Sequence, residues 1–138
     1  CRLGDPETQP ILMRLRSDLM QLCLDALGDG LDQQQADWDN RVALGVVLAA
    51  GGYPGAYGRG DIITGLESSP SQESKVFHAG TRRDAGNIVT DGGRVLCVTS
   101  LGRDVVEARD RSYAASRKID FRDAFFRSDI GYRAIARR

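Results

Sequence analysis

The first part of the chain has apolar residues at helical spacing. In PILMRLRSDLMQLCLDALGDG these positions would share one helix face: Leu12, Leu15, Leu19, Leu22, Cys23, Ala26 and Leu27. This spacing indicates an amphipathic helix. Pro10 suits a first turn, and Gly28 suits a left-handed stop. The pattern therefore predicts a helix from about Pro10 to Leu27.

The segment after this helix, GDGLDQQQADWDN, is polar and rich in turn residues. Trp38 is its large apolar anchor. Such a composition is typical of a linker, so we predict a boundary near Asp37. It divides the chain into residues 1–37 and residues 38–138.

Beyond the boundary the pattern changes to strands separated by glycine turns. RVALGVVLAA and RVLCVTSLG are β-branched runs bounded by glycines, and KVFHAGT is a short alternating segment. DVVEARDRSYAASRKI returns to helical spacing, with Asp104 and Glu107 placed for a capping box. SDIGYRAIARR predicts a short final helix. We therefore expect an α+β domain with an antiparallel sheet and helices.

Composition and charge narrow the classes of partner. The chain has 138 residues, 41% of them hydrophobic, which suffices for one core. Nineteen Lys and Arg balance nineteen Asp and Glu, so no overall field favours nucleic acid or an anionic membrane. The longest apolar run, VALGVVLAAGG, is too short to span a bilayer. We expect no nucleic acid and no membrane partner.

The cysteines and the lone histidine show no metal-site spacing. Cys1, Cys23 and Cys97 lie far apart, and His78 is the single histidine. An odd number of cysteines favours a reducing compartment. The expectation is a cytoplasmic protein in which Cys97 packs in the core and His78 has a structural role.

Five segments together resemble one family. They are RLGDPETQP, LGVVLAAGGYPGAYGRGDIITGL, KVFHAGT, DGGRVLCVTSLG and RSDIGYRAI. Their order and spacing resemble the C-terminal portion of the glycinamide ribonucleotide synthetases, the phosphoribosylamine-glycine ligases of the ATP-grasp superfamily. The resemblance covers nearly the whole chain. It implies that residues 1–37 end an ATP-grasp domain, as a loop plus helix, and that residues 38–138 form a small C-terminal domain.

The resemblance also implies a reaction. Family members join glycine to 5-phosphoribosylamine through a glycyl phosphate intermediate, using ATP and Mg²⁺ (Mn²⁺ is possible), in de novo purine synthesis. Magnesium takes hard oxygen ligands, and the family's Glu and Asn ligands lie upstream of Cys1. We therefore expect the missing N-terminal portion to be a partner of this chain. Alone, the chain is expected to hold no cofactor by the family's route and to be inactive.

The same resemblance assigns the candidate site to the opening motif. Arg2 is implied to be catalytic, because a guanidinium contacts a phosphate or acyl phosphate through two donors. Gly4, Asp5, Pro6 and Glu7 are implied to form the substrate-binding loop, in which the carboxylates receive an ammonium or a ribose hydroxyl. Considered alone, RLGDPE is a turn before a helix, with acids near the positive helix end.

Other features have structural interpretations beside functional ones. The glycine-rich GGYPGAYGRGD could cradle phosphate but matches no established phosphate-loop pattern, so a packing loop is favoured. The basic C-terminal segment 117–138 is interpreted as a solvated surface. Two alternatives to the ligase stay open: a non-catalytic interaction or regulatory module, and another ATP-grasp carboxylate-amine ligase.

Overall fold

An antiparallel sheet lies at the centre of the computed structural model, which describes residues 3–28, 30–68 and 71–137. The strands are β1 (Val42–Ala49), β2 (Ser74–His78), β3 (Thr81–Asp84), β4 (Asn87–Thr90) and β5 (Arg94–Gly102). The helices are α1 (Thr8–Arg14), α2 (Leu19–Leu27), α3 (Val105–Ser116) and α4 (Tyr132–Ala136), with a 3₁₀ turn at Leu31–Gln33. The predicted α+β class is confirmed.

Strand β5 is the middle strand of the main sheet. It pairs antiparallel with β1 on one side, where Val46 faces Val98, and with β2 on the other, where Phe77 faces Cys97. Strands β3 and β4 form a separate hairpin. Helix α3 covers one face of this strand and α1 the other, and Val95 to Gly102 are all buried. Cys97 is buried in it, as predicted.

The two faces of the sheet pack against different helices. Leu48, Leu96 and Val98 are fully buried on the face covered by α3, where they join Ala115. Alternate residues of β1 lie on the opposite face. There Gly45 packs against α1, and an added Cβ would lie 3.2 Å from Pro10 Cγ. The sheet therefore separates the main core from the N-terminal segment.

The N-terminal helix predicted over Pro10 to Leu27 is wrong as a single element. The chain forms α1 and α2, separated by residues 15–18. Leu15 makes a β-bridge to Trp38, and the Arg16 amide donates to the Asp37 carbonyl at 2.9 Å. Asp18 then caps α2 by accepting from the Met20 and Gln21 amides. Pairing with the linker interrupts the helix that periodicity alone favours.

The two predicted helix ends have mixed outcomes. Helix α2 ends at Leu27, but Gly28 has φ −95°, an extended conformation instead of the left-handed one expected. At α3, Asp104 accepts from the Glu107 amide at 2.9 Å, as predicted. Glu107 Oε2 accepts from the Arg103 amide, one residue before the cap, and this bond lowers the pKa of Glu107. The predicted N-cap is therefore present. The Glu107 side chain accepts from the amide of Arg103, whereas in a capping box it accepts from the amide of the N-cap residue.

No helix among the described residues is long and apolar enough to cross a bilayer.

A buried carboxylate ties the N-terminal segment to the sheet. Asp39 accepts from Arg41 through Nη2 at 2.6 Å and pairs with Arg16 at 3.7 Å. Its backbone amide donates to the Arg14 carbonyl at 2.7 Å. Arg41 also pairs with Glu73, which leads into β2. The side-chain hydrogen bond from Arg41, aided by its backbone amide, holds the pKa of Asp39 well below its ordinary value of 3.8.

We expect Asp39→Asn to lower the thermal midpoint at pH 7 by roughly 5 °C or more, because Arg41 and Arg16 lose the carboxylate that they share. A lowered folded-state pKa means that the stabilisation is complete above about pH 4. It is lost as the pH falls from there toward the folded-state pKa. The difference between the two proteins should therefore shrink between pH 4 and pH 2, as measured by thermal unfolding.

The matched control is Asp37→Asn, since Asp37 is exposed two residues away. It should leave the midpoint nearly unchanged at every pH. Equal shifts in both variants would contradict the assigned role of Asp39.

Candidate functional site

The opening loop is held by the first turn of α1. The Thr8 amide donates to the Gly4 carbonyl at 3.0 Å, and the Thr8 hydroxyl donates to the same oxygen. The Ile11 amide donates to the Glu7 carbonyl. These bonds give residues 4–7 a defined path before the helix. Arg2 lies outside the described residues.

Asp5 is contacted from two sides. Its Oδ2 forms an ion pair with Arg94 Nε at 2.9 Å, and its Oδ1 accepts from Gln9 Nε2 at 3.0 Å. Gln9 Oε1 is buried and has no hydrogen-bond partner among the described residues. Each carboxylate oxygen of Asp5 retains a second lone pair for a ligand donor. The structure thus places a predicted substrate residue in contact with β5.

Gly4 and Glu7 lie against each other. A Cβ added to Gly4 would come within 2.0 Å of Glu7 Oε1. Glu7 precedes α1 at the N-cap, without a side-chain capping bond, and it is exposed. Because Gly4 has no side chain, the Glu7 carboxylate can lie directly against its backbone. Glu7 itself stays accessible to a ligand.

Pro6 lines a cavity of about 450 Å³ on the α1 side of the sheet. The floor is formed by alternate residues of β1, and the walls come from four other segments. The lining residues are Pro6, Gly45, Val47, Ala49, Tyr53, Pro54, Arg94, Phe125, Phe126, Arg127 and Ile130. The surface is mainly aliphatic and aromatic. It joins the predicted loop to the glycine-rich loop and to residues 125–130.

Two guanidinium groups line this cavity, and both are paired with carboxylates. Arg94 pairs with Asp5, and Arg127 makes two contacts to Asp129, at 2.8 and 2.6 Å. The second pairing lowers the pKa of Asp129. Each guanidinium is thus balanced by a carboxylate, and the rest of the lining is mainly apolar.

The glycine-rich loop contributes aromatic packing to this region. The Tyr53 ring lies against Gly93, where an added Cβ would come within 2.2 Å of Cδ2. Tyr53 and Tyr57 pack edge to face at 6.2 Å, and Arg59 lies over the Tyr57 ring. These contacts support the interpretation of GGYPGAYGRGD as a packing loop.

No set of three metal-ligating side chains is brought together within residues 3–28, 30–68 and 71–137. The described residues therefore do not fit a magnesium site of their own.

His78 Nδ1 lies 3.0 Å from the Thr81 hydroxyl, which fits its predicted structural role. In the basic tail, Arg122 pairs with Asp61, and Arg117 lies over the Tyr113 ring.

The site includes residues that sequence reasoning did not single out. Arg94 and Gln9 contact Asp5, and Phe125 forms a wall of the cavity. The available signal was the run DGGRV, in which two glycines precede an arginine at the start of a strand. Paired glycines there indicate a close approach of neighbouring groups. The signal for Phe125 was absent, because that segment has no periodic pattern.

Comparison with known proteins points to one family. Residues 43–133 match the family model described as "Phosphoribosylglycinamide synthetase, C domain". The phosphoribosylamine-glycine ligase of Allochromatium vinosum is 63% identical over 137 residues, which is 99% of this chain and 32% of that protein. The ligase of Escherichia coli O157:H7 is 56% identical, again over 99% of this chain and 32% of that protein. The chain thus spans about a third of the length of these relatives.

A solved structure gives the same result. The crystal structure of phosphoribosylamine-glycine ligase from Thermotoga maritima superposes with a TM-score of 0.71 at 34% identity, covering 93% of this chain and 31% of that one. The family match begins at residue 43, inside β1, and the boundary near Asp37 stays a prediction. The family match covers well over half of the chain, and the chain therefore belongs to the phosphoribosylglycinamide synthetase family.

Proposed function

We propose that this chain is the C-terminal part of an ATP-dependent ligase that joins glycine to 5-phosphoribosylamine in de novo purine synthesis. The observation that carries the proposal is the 63% identity, along 99% of the chain, to a phosphoribosylamine-glycine ligase. The placement of Pro6 in a cavity whose other lining residues fall within the matched range 43–133 supports it. We also propose a cytoplasmic location, in keeping with the odd cysteine count.

The proposed reaction has two chemical steps. The glycine carboxylate attacks the γ-phosphorus of ATP, which forms glycyl phosphate and releases ADP. The amine of phosphoribosylamine then attacks the glycyl carbonyl, forms the amide bond and expels phosphate. Both steps depend chiefly on positioning and charge stabilisation. These are functions that a preorganised loop on a rigid sheet can serve.

The roles of the chain's own residues follow from the loop. Arg2 contacts the transferring phosphoryl group or the acyl phosphate through two donors. Asp5 and Glu7 receive an ammonium or a ribose hydroxyl, Gly4 allows close approach, and Pro6 borders the cavity. Magnesium, or manganese, would neutralise phosphate charge in the whole enzyme. We place its ligands in the part of the whole enzyme that this chain does not cover, and we assign no step to a metal held by the described residues.

A chimera tests the proposal directly. This chain should replace the corresponding third of the Allochromatium vinosum ligase, with which it shares 63% identity. We expect the chimera to form the amide product from ATP, glycine and phosphoribosylamine with most of the parent's turnover. Product mass and phosphate release measure the reaction.

The control is the 138-residue chain alone, which should neither hydrolyse ATP nor form product. A folded chimera without amide product would contradict the ligase function. Turnover by the isolated chain would contradict the placement of the metal ligands outside this chain.

A further inference from the structure

A β-bulge directs the side chain of Arg94. Along the β1–β5 ladder Leu48 faces Leu96, but Ala49 faces Arg94, so Val95 is an extra residue on β5. Val95 is fully buried in the core on the α3 face. The bulge thereby turns Arg94 to the opposite face, toward the N-terminal loop. Bulges commonly re-aim a side chain in this way.

The backbone at Arg94 is fixed on both sides. Its carbonyl accepts from the Gly80 amide at 2.9 Å, and the Gly93 carbonyl accepts from the Ala50 amide at 2.9 Å. Gly80 also packs against Gly92: a Cβ added to Gly80 would lie 2.6 Å from the Cα of Gly92. The guanidinium is therefore mounted on a rigid element, which is where a positioning group is most effective.

The partner of Arg94 is a carboxylate on the candidate loop. Arg94 Nε holds Oδ2 of Asp5, and Gln9 of α1 holds Oδ1. The Asp5 carboxylate is thus clamped between the sheet and the helix. Both partners of the ion pair are partly exposed, at 44% and 33%. Ion pairs of this kind contribute little to folding stability, so stability alone does not account for the arrangement.

We propose that Arg94 is a positioning residue for the ligase reaction: it orients the Asp5 carboxylate, and with it the loop 4–7, toward the cavity. This inference rests on the proposed function. It assigns to the C domain a part in setting the geometry of the substrate loop. Arg94 acts through Asp5 and does not itself contact the reacting atoms.

The test uses the active chimera with Arg94→Gln, Arg94→Lys and Asp5→Asn. Misplacing a reacting group by about 1 Å costs about 10²-fold, so Arg94→Gln should lower kcat/KM by about that factor. Its thermal midpoint should stay within about 3 °C of the parent. Arg94→Lys should recover part of the loss, because an ammonium keeps the charge without the planar fork. Arg83→Gln, an exposed arginine on β3, is the matched control and should be normal.

A double variant separates positioning from direct substrate binding. If Arg94 acts through Asp5, Arg94→Gln combined with Asp5→Asn should lose no more than Asp5→Asn alone. In addition, Arg94→Gln should speed hydrogen exchange of the Thr8 amide, whose bond to Gly4 the clamp supports.

The outcomes are distinct. A chimera without ligase activity refutes the proposed function and with it a role for Arg94 in that reaction. An active chimera that tolerates Arg94→Gln overturns the role of Arg94 alone. Additive losses in the double variant, or an unchanged Thr8 exchange rate, also overturn it.

Discussion

Replacing Leu96 with alanine is expected to lower the free energy of unfolding of the chain by about 3–5 kcal/mol. Leu96 is fully buried on the middle strand, with Leu48 facing it from β1, and it belongs to the same core cluster as Ala115 of α3. The loss combines the transfer energy of the deleted carbons with the cavity left behind. Domains are stable by about 5–15 kcal/mol, so this single change removes a large part of the total.

Urea unfolding measures the effect, with an unchanged slope showing that the unfolded state is not altered. Leu27→Ala is the matched control, because Leu27 is 87% exposed on α2. It should change stability by no more than about 0.5 kcal/mol. Leu96→Met, which keeps the volume, should cost less than about 1.5 kcal/mol. A Leu96→Ala loss as small as that of Leu27→Ala would contradict the packing of this sheet on α3.

The main sheet and α3 could be predicted from the sequence because local signals agree with the tertiary structure. β1 and β5 are β-branched runs of eight and nine residues bounded by turns. Asp104 is a strong N-cap residue directly before an apolar position. Such elements need little information from elsewhere in the chain.

The interruption between α1 and α2 could not be predicted from periodicity. The apolar positions continue in phase across residues 15–18. What ends α1 is pairing of Leu15 and Arg16 with the linker residues Trp38 and Asp37, a long-range contact. Asp18 was a local signal for a new start, since its side chain caps α2.

The β3–β4 hairpin was also missed, although a turn signal was present. Ala85 and Gly86 both have positive φ, 44° and 85°, as the turns that match strand twist require. Alanine is uncommon in that conformation, which weakened the pattern. The strand segment predicted in this region, KVFHAGT, ended at Thr81, so the rest of the hairpin was not assigned to strands.

The residues of the candidate site also divide into those that local sequence reveals and those that only the fold brings together. Gly4, Asp5, Pro6 and Glu7 are adjacent in the sequence, so a motif reveals them together. Arg94 lies 89 positions beyond Asp5 (94 − 5), and its approach depends on the bulge at Val95 and on glycine packing. Sequence patterns identify chemical groups near each other along the chain. They do not identify groups that a sheet brings together.

Replacing Arg2 with alanine in the chimera is expected to lower kcat by about 10²-fold to 10³-fold, the usual cost of losing one preorganised donor. The expected change in KM for ATP is smaller. An interaction that is stronger in the transition state than in the ground state affects turnover in this way. Steady-state kinetics with saturating glycine and phosphoribosylamine measure both constants.

Related variants separate catalysis by Arg2 from a structural role. Arg2→Lys should recover only part of the rate, because an ammonium cannot reproduce the planar two-donor contact. Asp5→Asn should mainly weaken substrate binding, and Arg83→Ala should be normal. If Arg2 merely stabilises the turn before α1, Arg2→Ala should instead lower the thermal midpoint and leave kcat of the folded enzyme unchanged. Because the two roles move different quantities, a normal kcat in Arg2→Ala would remove Arg2 from the catalytic machinery.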